Sequence, residues 1–169
     1  AKMRAHPYIQ EAVLRDANLT HFDGSAIKLS DNPASIESNT SGLTCAESCQ
    51  VMKNIGGSQN LKLLNITNYE IIDEKRQYAS SITIAEMIWY FIEGYHQKLN
   101  DHPTTSSDQL QRFVIHSLNT DAEMIFVKNE TSGRWWFMSN GNEEQYHACS
   151  HEEYLEAARG DIPDRLLRY

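Results

Sequence analysis

Long apolar runs and excess basic charge are both missing from this 169-residue chain. A membrane-spanning helix needs about 20 consecutive apolar residues. The most apolar stretch, residues 82–99, is interrupted by Glu86, Glu93 and His96, so we predict no contact with a membrane. The formal net charge is −8, from 15 Lys and Arg against 23 Asp and Glu. Because phosphate binding needs a basic surface, nucleic acid is excluded as a general partner.

Cysteine is scarce, and its odd count of three argues against a disulfide framework. We therefore expect a reducing, cytoplasmic location. The length suits one domain, or one domain with an appendage. The chain begins Ala1-Lys2-Met3-Arg4 with no secretory signal, and this start predicts a fragment of a longer protein.

Apolar periodicity predicts alternating helices and strands in residues 1–100. The predicted helices cover residues 7–17, 44–56 and 78–99, and the predicted strands end near residues 22 and 67. In the long helix we predict an apolar stripe made of Ile84, Met87, Ile88, Phe91 and Tyr95. This order predicts a parallel sheet covered on both faces. Two strands do not make a stable sheet of that kind, so we expect further strands from upstream or from a neighbour.

Residues 101–169 have a different character and are predicted to form a C-terminal extension. A linker at residues 101–108 precedes strand-like segments at 113–118, 124–127 and 134–138, with turns at 119–121 and 131–133. They predict a small antiparallel meander. Ser150 and Glu153 form a capping box, which predicts a helix that ends at Gly160.

The segment Asp23-Gly24-Ser25, directly after the first strand, is the main candidate for a functional site. Open α/β sheets place ligands at the carboxyl ends of their strands. Two interpretations of Asp23 stay open, namely a carboxylate that caps a turn and a carboxylate that binds a metal or ligand. The polar residues 24–43 would form the rim of such a site.

Six segments resemble, in matching order, the C-terminal part of the formimidoylglutamase-like branch of the arginase family, the ureohydrolases. They are HFDGSAIKLSDNP, SGLTCAESCQ, IWYFIEGYHQKLND, GRWWF, CSHEEY and GDIPDR. The resemblance implies a three-layer α/β/α sandwich with a mostly parallel sheet, formed in part by residues 1–100. It also implies hydrolysis of C–N bonds in formimino or guanidino compounds (linear amidines) by two Mn²⁺ ions that share a hydroxide.

The resemblance carries over only part of the family's site. The metal motif Asp-x-Asp matches Asp23 at its first acid, but Ser25 stands at the second and is a weaker ligand. The substrate-binding glutamate of the family falls on Asn68, with Glu70 two residues away. The remaining ligands belong to the family's N-terminal half. A lost ligand should lower metal affinity at least 10-fold, so the resemblance implies a degraded manganese site.

Cysteine and histidine leave a zinc site open as an alternative. Cys45 and Cys49 lie four residues apart on a predicted helix, and His147, Cys149 and His151 are clustered in the sequence. Neither spacing matches a common zinc motif, and free cysteines are often buried as apolar residues.

Trp135 and Trp136 are the candidate interface residues, since Trp is enriched in binding hot spots. The competing interpretation is strand alternation, with one ring covering the long helix and the other partly exposed.

Three functional hypotheses follow. The first is a manganese-dependent hydrolase, with little or no activity remaining because its metal site is degraded. The second is a non-catalytic scaffold on the same fold that binds a small molecule or forms oligomers. The third is a zinc-stabilised module at residues 147–151. Under the first two, the expected partners are a missing N-terminal half or a homo-oligomer neighbour, with a small-molecule substrate possible.

Overall fold

The computed structural model describes residues 7–35, 37, 40–69, 74–104, 109–116, 123–139 and 145–168. The chain divides into two compact units. Residues 14–98 form one of them, which we name the parallel unit. Residues 1–13 and 99–169 form the other, the antiparallel unit. The predicted boundary between residues 100 and 101 stays a prediction about domains.

The first half of the chain follows the predicted alternation. Helix α1 spans Pro7–Arg15 and strand β1 spans Leu19–Asp23, which leads into a short 3-10 turn. Helix α2 spans Cys45–Gly56, strand β2 spans Leu63–Thr67, and helix α3 spans Glu74–His96. The capping box that opens α2 is present, because Thr44 Oγ1 accepts from the Glu47 N–H while Glu47 Oε2 accepts from the Thr44 N–H.

Strands β1 and β2 pair in parallel, as predicted, with Leu19 opposite Leu63 and Asp23 opposite Thr67. Alternation divides the pair into two faces. On one face Phe22 is buried, and Leu64 and Ile66 pack beside it on a core formed with α2 and α3. The other face carries exposed side chains among the described residues, so the predicted cover on both faces is observed on one.

Helices α2 and α3 pack backbone against backbone. A Cβ added to Gly56 would overlap the Phe91 carbonyl oxygen, and one added to Gly94 would overlap that of Lys53. Lys53 Nζ also binds Glu93 Oε1 at 2.7 Å. Because Lys53 lies near Glu93 while Cys45, eight positions earlier, lies near Glu86, the two helices run in the same direction.

The apolar stripe predicted for α3 is narrower in the structure. Met87 is buried, and Ile84 and Phe91 pack against the core. Ile88 is 44% exposed and Tyr95 55% exposed, so these two members of the predicted stripe are not buried in the described part of the chain. Helix α2 contacts α3 closely at Gly94, and the surface of α3 that α2 and the core cover is one narrow side of the helix.

Four antiparallel strands form the sheet of the antiparallel unit in the order β3-β4-β5-β6. They span Leu110–His116, Glu123–Asn129, Trp135–Met138 and Tyr146–Cys149, and helix α4 follows over His151–Ala158. The meander was predicted, but β6 was not. The predicted turn at 119–121 lies outside the described residues.

The predicted capping box of α4 is part of a larger polar network. Ser150 donates its N–H to Glu153 Oε2 and accepts from the Glu153 N–H. Arg165 donates to both oxygens of Glu153, each at 2.7 Å, and to the Ala148 carbonyl. Burial raises the pKa of Glu153, but the hydrogen bonds from Arg165 and Ser150 outweigh it and leave that pKa below its ordinary value.

Among the described residues, no helix has the length and apolar character to cross a membrane.

Replacing Gly94 with Ala should destabilise the parallel unit. The new Cβ meets a backbone oxygen that cannot rotate away, so we expect a loss of about 1–3 kcal/mol in the free energy of unfolding. The matched control is Gly57→Ala, whose Cβ would meet its nearest atom at 3.5 Å and should be neutral or stabilising by up to about 1 kcal/mol. Urea denaturation measures both, and equal effects would contradict the close packing of α2 on α3.

Glu153 should make the antiparallel unit acid-sensitive. Because its folded pKa lies below the ordinary value, its contribution to stability is present above the unfolded pKa and is lost as pH falls through the folded pKa. Glu153→Gln should therefore flatten the decline in melting temperature between about pH 6 and about pH 3. Glu156→Gln, at an exposed position of the same helix, should leave the wild-type decline intact. An unchanged slope in Glu153→Gln would contradict the role of this carboxylate.

Candidate functional site

The carboxyl ends of β1 and β2 meet at one edge of the sheet, because the strands are parallel and in register. Asp23 ends β1 and Thr67 ends β2, with Asn68 directly after it. The structure therefore brings together Asp23 and Asn68, which the sequence had singled out separately.

Asp23 caps the 3-10 turn at residues 24–26. Its Oδ1 accepts a hydrogen bond from the Ser25 N–H at 2.9 Å and another from Asn68 Nδ2 at 2.8 Å. The bonds from Ser25, followed by the one from Asn68, hold the pKa of Asp23 below its ordinary value. The carboxylate is thus ionised and stabilised by neutral donors, and its Oδ2 takes neither of the two bonds.

Gly24 allows the turn to lie directly against the end of β2. A Cβ at this position would come within 2.8 Å of the Thr67 carbonyl oxygen and 2.9 Å of that of Asn68. The buried Asn32 closes the turn from the other side, since its Nδ2 donates to the Gly24 carbonyl at 2.9 Å. Any larger residue in place of Gly24 would push Asp23 away from Asn68.

Asn68 has a backbone φ of +56°, the only positive value among the described residues that are not glycine. Asparagine tolerates this left-handed conformation better than most residues. Backbone strain of this kind persists where the surrounding structure enforces it, and it clusters at functional sites. Here it aims the amide of Asn68 at Asp23.

His21 extends the polar edge along the exposed face of the sheet. Its Nε2 lies 3.0 Å from Thr67 Oγ1, and its Nδ1 lies 3.3 Å from Asn65 Nδ2. Both ring nitrogens are engaged by neutral groups of β2. The histidine is therefore an exposed residue of the strand.

The loop predicted to form the rim of the site is anchored on the helices. Asp31 Oδ2 accepts from the Cys45 N–H at 2.7 Å, and the Asp31 carbonyl accepts from Thr83 Oγ1 at 2.7 Å. Ala34 donates its N–H to Ser80 Oγ at 2.9 Å. This loop is held by specific bonds to α2 and α3.

The other predicted site residues lie elsewhere or outside the described residues. Glu70 is outside them. Trp135 is 7% exposed and Trp136 is 0% exposed, so both rings are buried, and the prediction that strand alternation leaves one of them partly exposed is wrong. An interface role would require the rings to become exposed, and it stays a prediction.

The described residues around Asp23 do not fit a two-manganese centre. Mn²⁺ prefers carboxylate and imidazole ligands, and this edge supplies one carboxylate and one histidine that is already bonded to Asn65 and Thr67. In the described part of the chain, the one group of three potential metal ligands is Cys45, Cys49 and Glu86. The atoms of His147, Cys149 and His151 are not gathered in that way. No sequence spacing links Glu86 to Cys45 and Cys49, because Glu86 lies on α3 and the two cysteines lie on α2.

Comparison with known proteins identifies the fold. No family model matches this chain, and neither does any curated protein. Among solved structures it is similar to Trypanosoma cruzi formiminoglutamase (a synonym of formimidoylglutamase) with Mn²⁺, at 18% identity and a TM-score of 0.51 over 58% of this chain and 34% of that chain. The oxidised form of the same enzyme with Mn²⁺ gives 18% identity and a TM-score of 0.50, over 58% and 35% of the two chains.

The likeness is one of fold alone. The chain spans about a third of the length of these enzymes. The resemblance expected from the six motifs is confirmed at this level, and the chain is a mixed α/β protein with one parallel and one antiparallel sheet and arginase-like fold neighbours.

Removing the Asn68 amide should raise the pKa of Asp23 toward its ordinary value. Asn68→Ala deletes one of the two donors on Oδ1, so the charged form loses stabilisation. The carboxyl carbon of Asp23 reports this pKa in an NMR titration. The control is Asn65→Ala in the preceding strand β2, because Asn65 contacts His21 instead and its loss should leave the pKa of Asp23 unchanged. An unchanged pKa of Asp23 in Asn68→Ala would contradict the hydrogen bond between these two residues.

Proposed function

We propose that this chain is part of an arginase-like metallohydrolase fold whose manganese site is degraded, with little or no hydrolytic activity remaining. The observation that carries the proposal is the environment of Asp23. The carboxylate that matches the first acid of the family's metal motif accepts hydrogen bonds from Ser25 and Asn68. Neutral donors thus stabilise the charge that a metal ion would stabilise in an active site.

Charge balance supports the loss of the metal centre. Two Mn²⁺ ions bring four positive charges, and the two acids of the family's Asp-x-Asp motif would offset two of them, whereas Asp23 alone offsets one. Ser25, at the family's second acid, contributes a neutral oxygen. The loss of a carboxylate that binds the metal directly should lower metal affinity at least 10-fold. An active member of the family would act on linear amidines.

The exposed face of the β1–β2 pair supports a second layer that would cover the sheet. Leu19 is 62% exposed and Leu63 53% exposed, on the face opposite the helices. Parallel sheets are stable when both faces are covered. We propose that a second helical layer and further strands complete a three-layer α/β/α sandwich, supplied by a missing N-terminal half or by a neighbouring copy.

A non-catalytic scaffold on the same fold is the second candidate. It is favoured by the polar character of the edge, in which His21 contacts Asn65 and Thr67 while Asn68 donates to Asp23, the one carboxylate in this set. Such a set suits a polar small molecule. The exposed apolar residues Leu19 and Leu63 suit oligomerisation.

Restoring the second acid tests the proposal. In Ser25→Asp a second carboxylate is placed two residues from Asp23, and we expect Mn²⁺ affinity to rise at least 10-fold. Manganese is measured by metal analysis after dialysis and by the electron paramagnetic resonance of free Mn²⁺. Asn60→Asp is the matched control, because it adds the same charge at an exposed position before β2, at the opposite end of the strand.

Two results would contradict the proposal. Near-stoichiometric manganese in the wild-type chain, with release of ammonia, formamide or urea from an amidine, would show an intact centre. Equal manganese uptake by Ser25→Asp and Asn60→Asp would show that residue 25 does not stand at a ligand position.

A further inference from the structure

Three potential metal ligands converge between α2 and α3, on residues that the proposed function does not use. Cys45 Sγ lies 3.0 Å from Glu86 Oε2 and 4.0 Å from Cys49 Sγ. The three ligand atoms all lie within 4.8 Å of one another. Cys45 and Cys49 share a helix face because they are four residues apart, and α3 brings the carboxylate to them.

We propose that Cys45, Cys49 and Glu86 form a binding site for a thiophilic divalent cation, with Zn²⁺ as the physiological candidate. Two thiolates and one carboxylate are a donor set that Zn²⁺ and Cd²⁺ accept, whereas Mg²⁺, Ca²⁺ and Mn²⁺ prefer oxygen ligands. A water molecule would take the fourth position of a tetrahedral site.

The separations are close to those that zinc requires. With Zn–S near 2.3 Å and Zn–O near 2.0 Å, tetrahedral angles place two sulfurs about 3.8 Å apart and a sulfur and an oxygen about 3.5 Å apart. The structure has 4.0 Å between the two sulfurs and 3.0 Å between the Cys45 sulfur and the Glu86 oxygen. The Cys49 sulfur and the Glu86 oxygen lie within 4.8 Å of each other, and a movement of the exposed Glu86 side chain would bring all three ligands to zinc distance.

Burial gives the site an inner and an outer side. Cys49 is 3% exposed, Cys45 is half-buried and Glu86 is exposed, so a cation can enter from solvent past the carboxylate. Desolvation, together with Glu86, raises the pKa of Cys45 to about 12. This thiol is therefore a poor nucleophile.

The helix pair holds the ligands in place. The glycine contacts between α2 and α3 and the ion pair of Lys53 with Glu93 at 2.7 Å fix the helices further along the same interface. Asp31 accepts from the Cys45 N–H and fixes the first turn of α2. Preorganised ligands of this kind lower the cost of binding.

Titration of the reduced 169-residue chain with Cd²⁺ tests the site. Thiolate-to-cadmium charge transfer gives an ultraviolet band, which we expect to saturate near one equivalent and to be displaced by Zn²⁺. Cys45→Ser and Cys49→Ala should each abolish the saturable band. Glu86→Gln should retain the band but weaken binding at least 10-fold.

Cys149→Ser is the matched control, because Cys149 is a buried cysteine of the antiparallel unit and its loss should leave the band unchanged. Circular dichroism checks that each variant is folded; if Cys49→Ala is not, the near-isosteric Cys45→Ser decides. The proposal is overturned by the absence of a saturable band in the wild type, by its persistence in folded Cys45→Ser, or by its loss in Cys149→Ser alone. Unchanged affinity in Glu86→Gln would overturn the three-ligand site.

Discussion

The direct contact between the backbones of α2 and α3 is the constraint on which the parallel unit depends. Gly56 and Gly94 permit it, because any side chain there would overlap a backbone oxygen of the other helix. The contact buries Met52 and Met87 completely and presents the apolar side of the helix pair to Phe22 in the sheet. It also brings Lys53 to Glu93 and Cys45 to Glu86 along the same interface. One helix contact therefore determines both the packing of the core and the positions of these polar groups.

The parts of the fold that could be predicted are those encoded locally. The capping box of α4 was found because Ser150 and a glutamate three positions later satisfy the first turn by themselves. Strand β6 was missed because Tyr146-His147-Ala148-Cys149 is short and lacks clear alternation; its pairing with β5 stabilises it. Ile88 was included in the predicted stripe because helical spacing shows which residues share a face. It does not show how much of that face a neighbouring element covers, and Ile88 is exposed.

The candidate site shows the same division between local and non-local information. Asp23 was found from its position at a strand end, and its cap follows from the residues beside it. Its partner Asn68 lies 45 residues away, and Glu86 lies 41 residues from Cys45. Neither pairing has a signature in spacing. A family motif pointed to Asn68, whereas Glu86 matched no motif and was found from coordinates alone.

The two-stranded parallel sheet has a consequence for how such a chain behaves in solution. In the described residues β1 pairs with β2 and with no other strand, so the outer border of each strand carries backbone groups that no neighbouring strand satisfies. Such borders are templates for adding another strand, from the same polypeptide or from a different one. Five residues of fixed register, Leu19–Asp23 against Leu63–Thr67, determine how any added strand would align. The same geometry would therefore serve either an ordered extension of the sheet or the association of two chains at their strand edges.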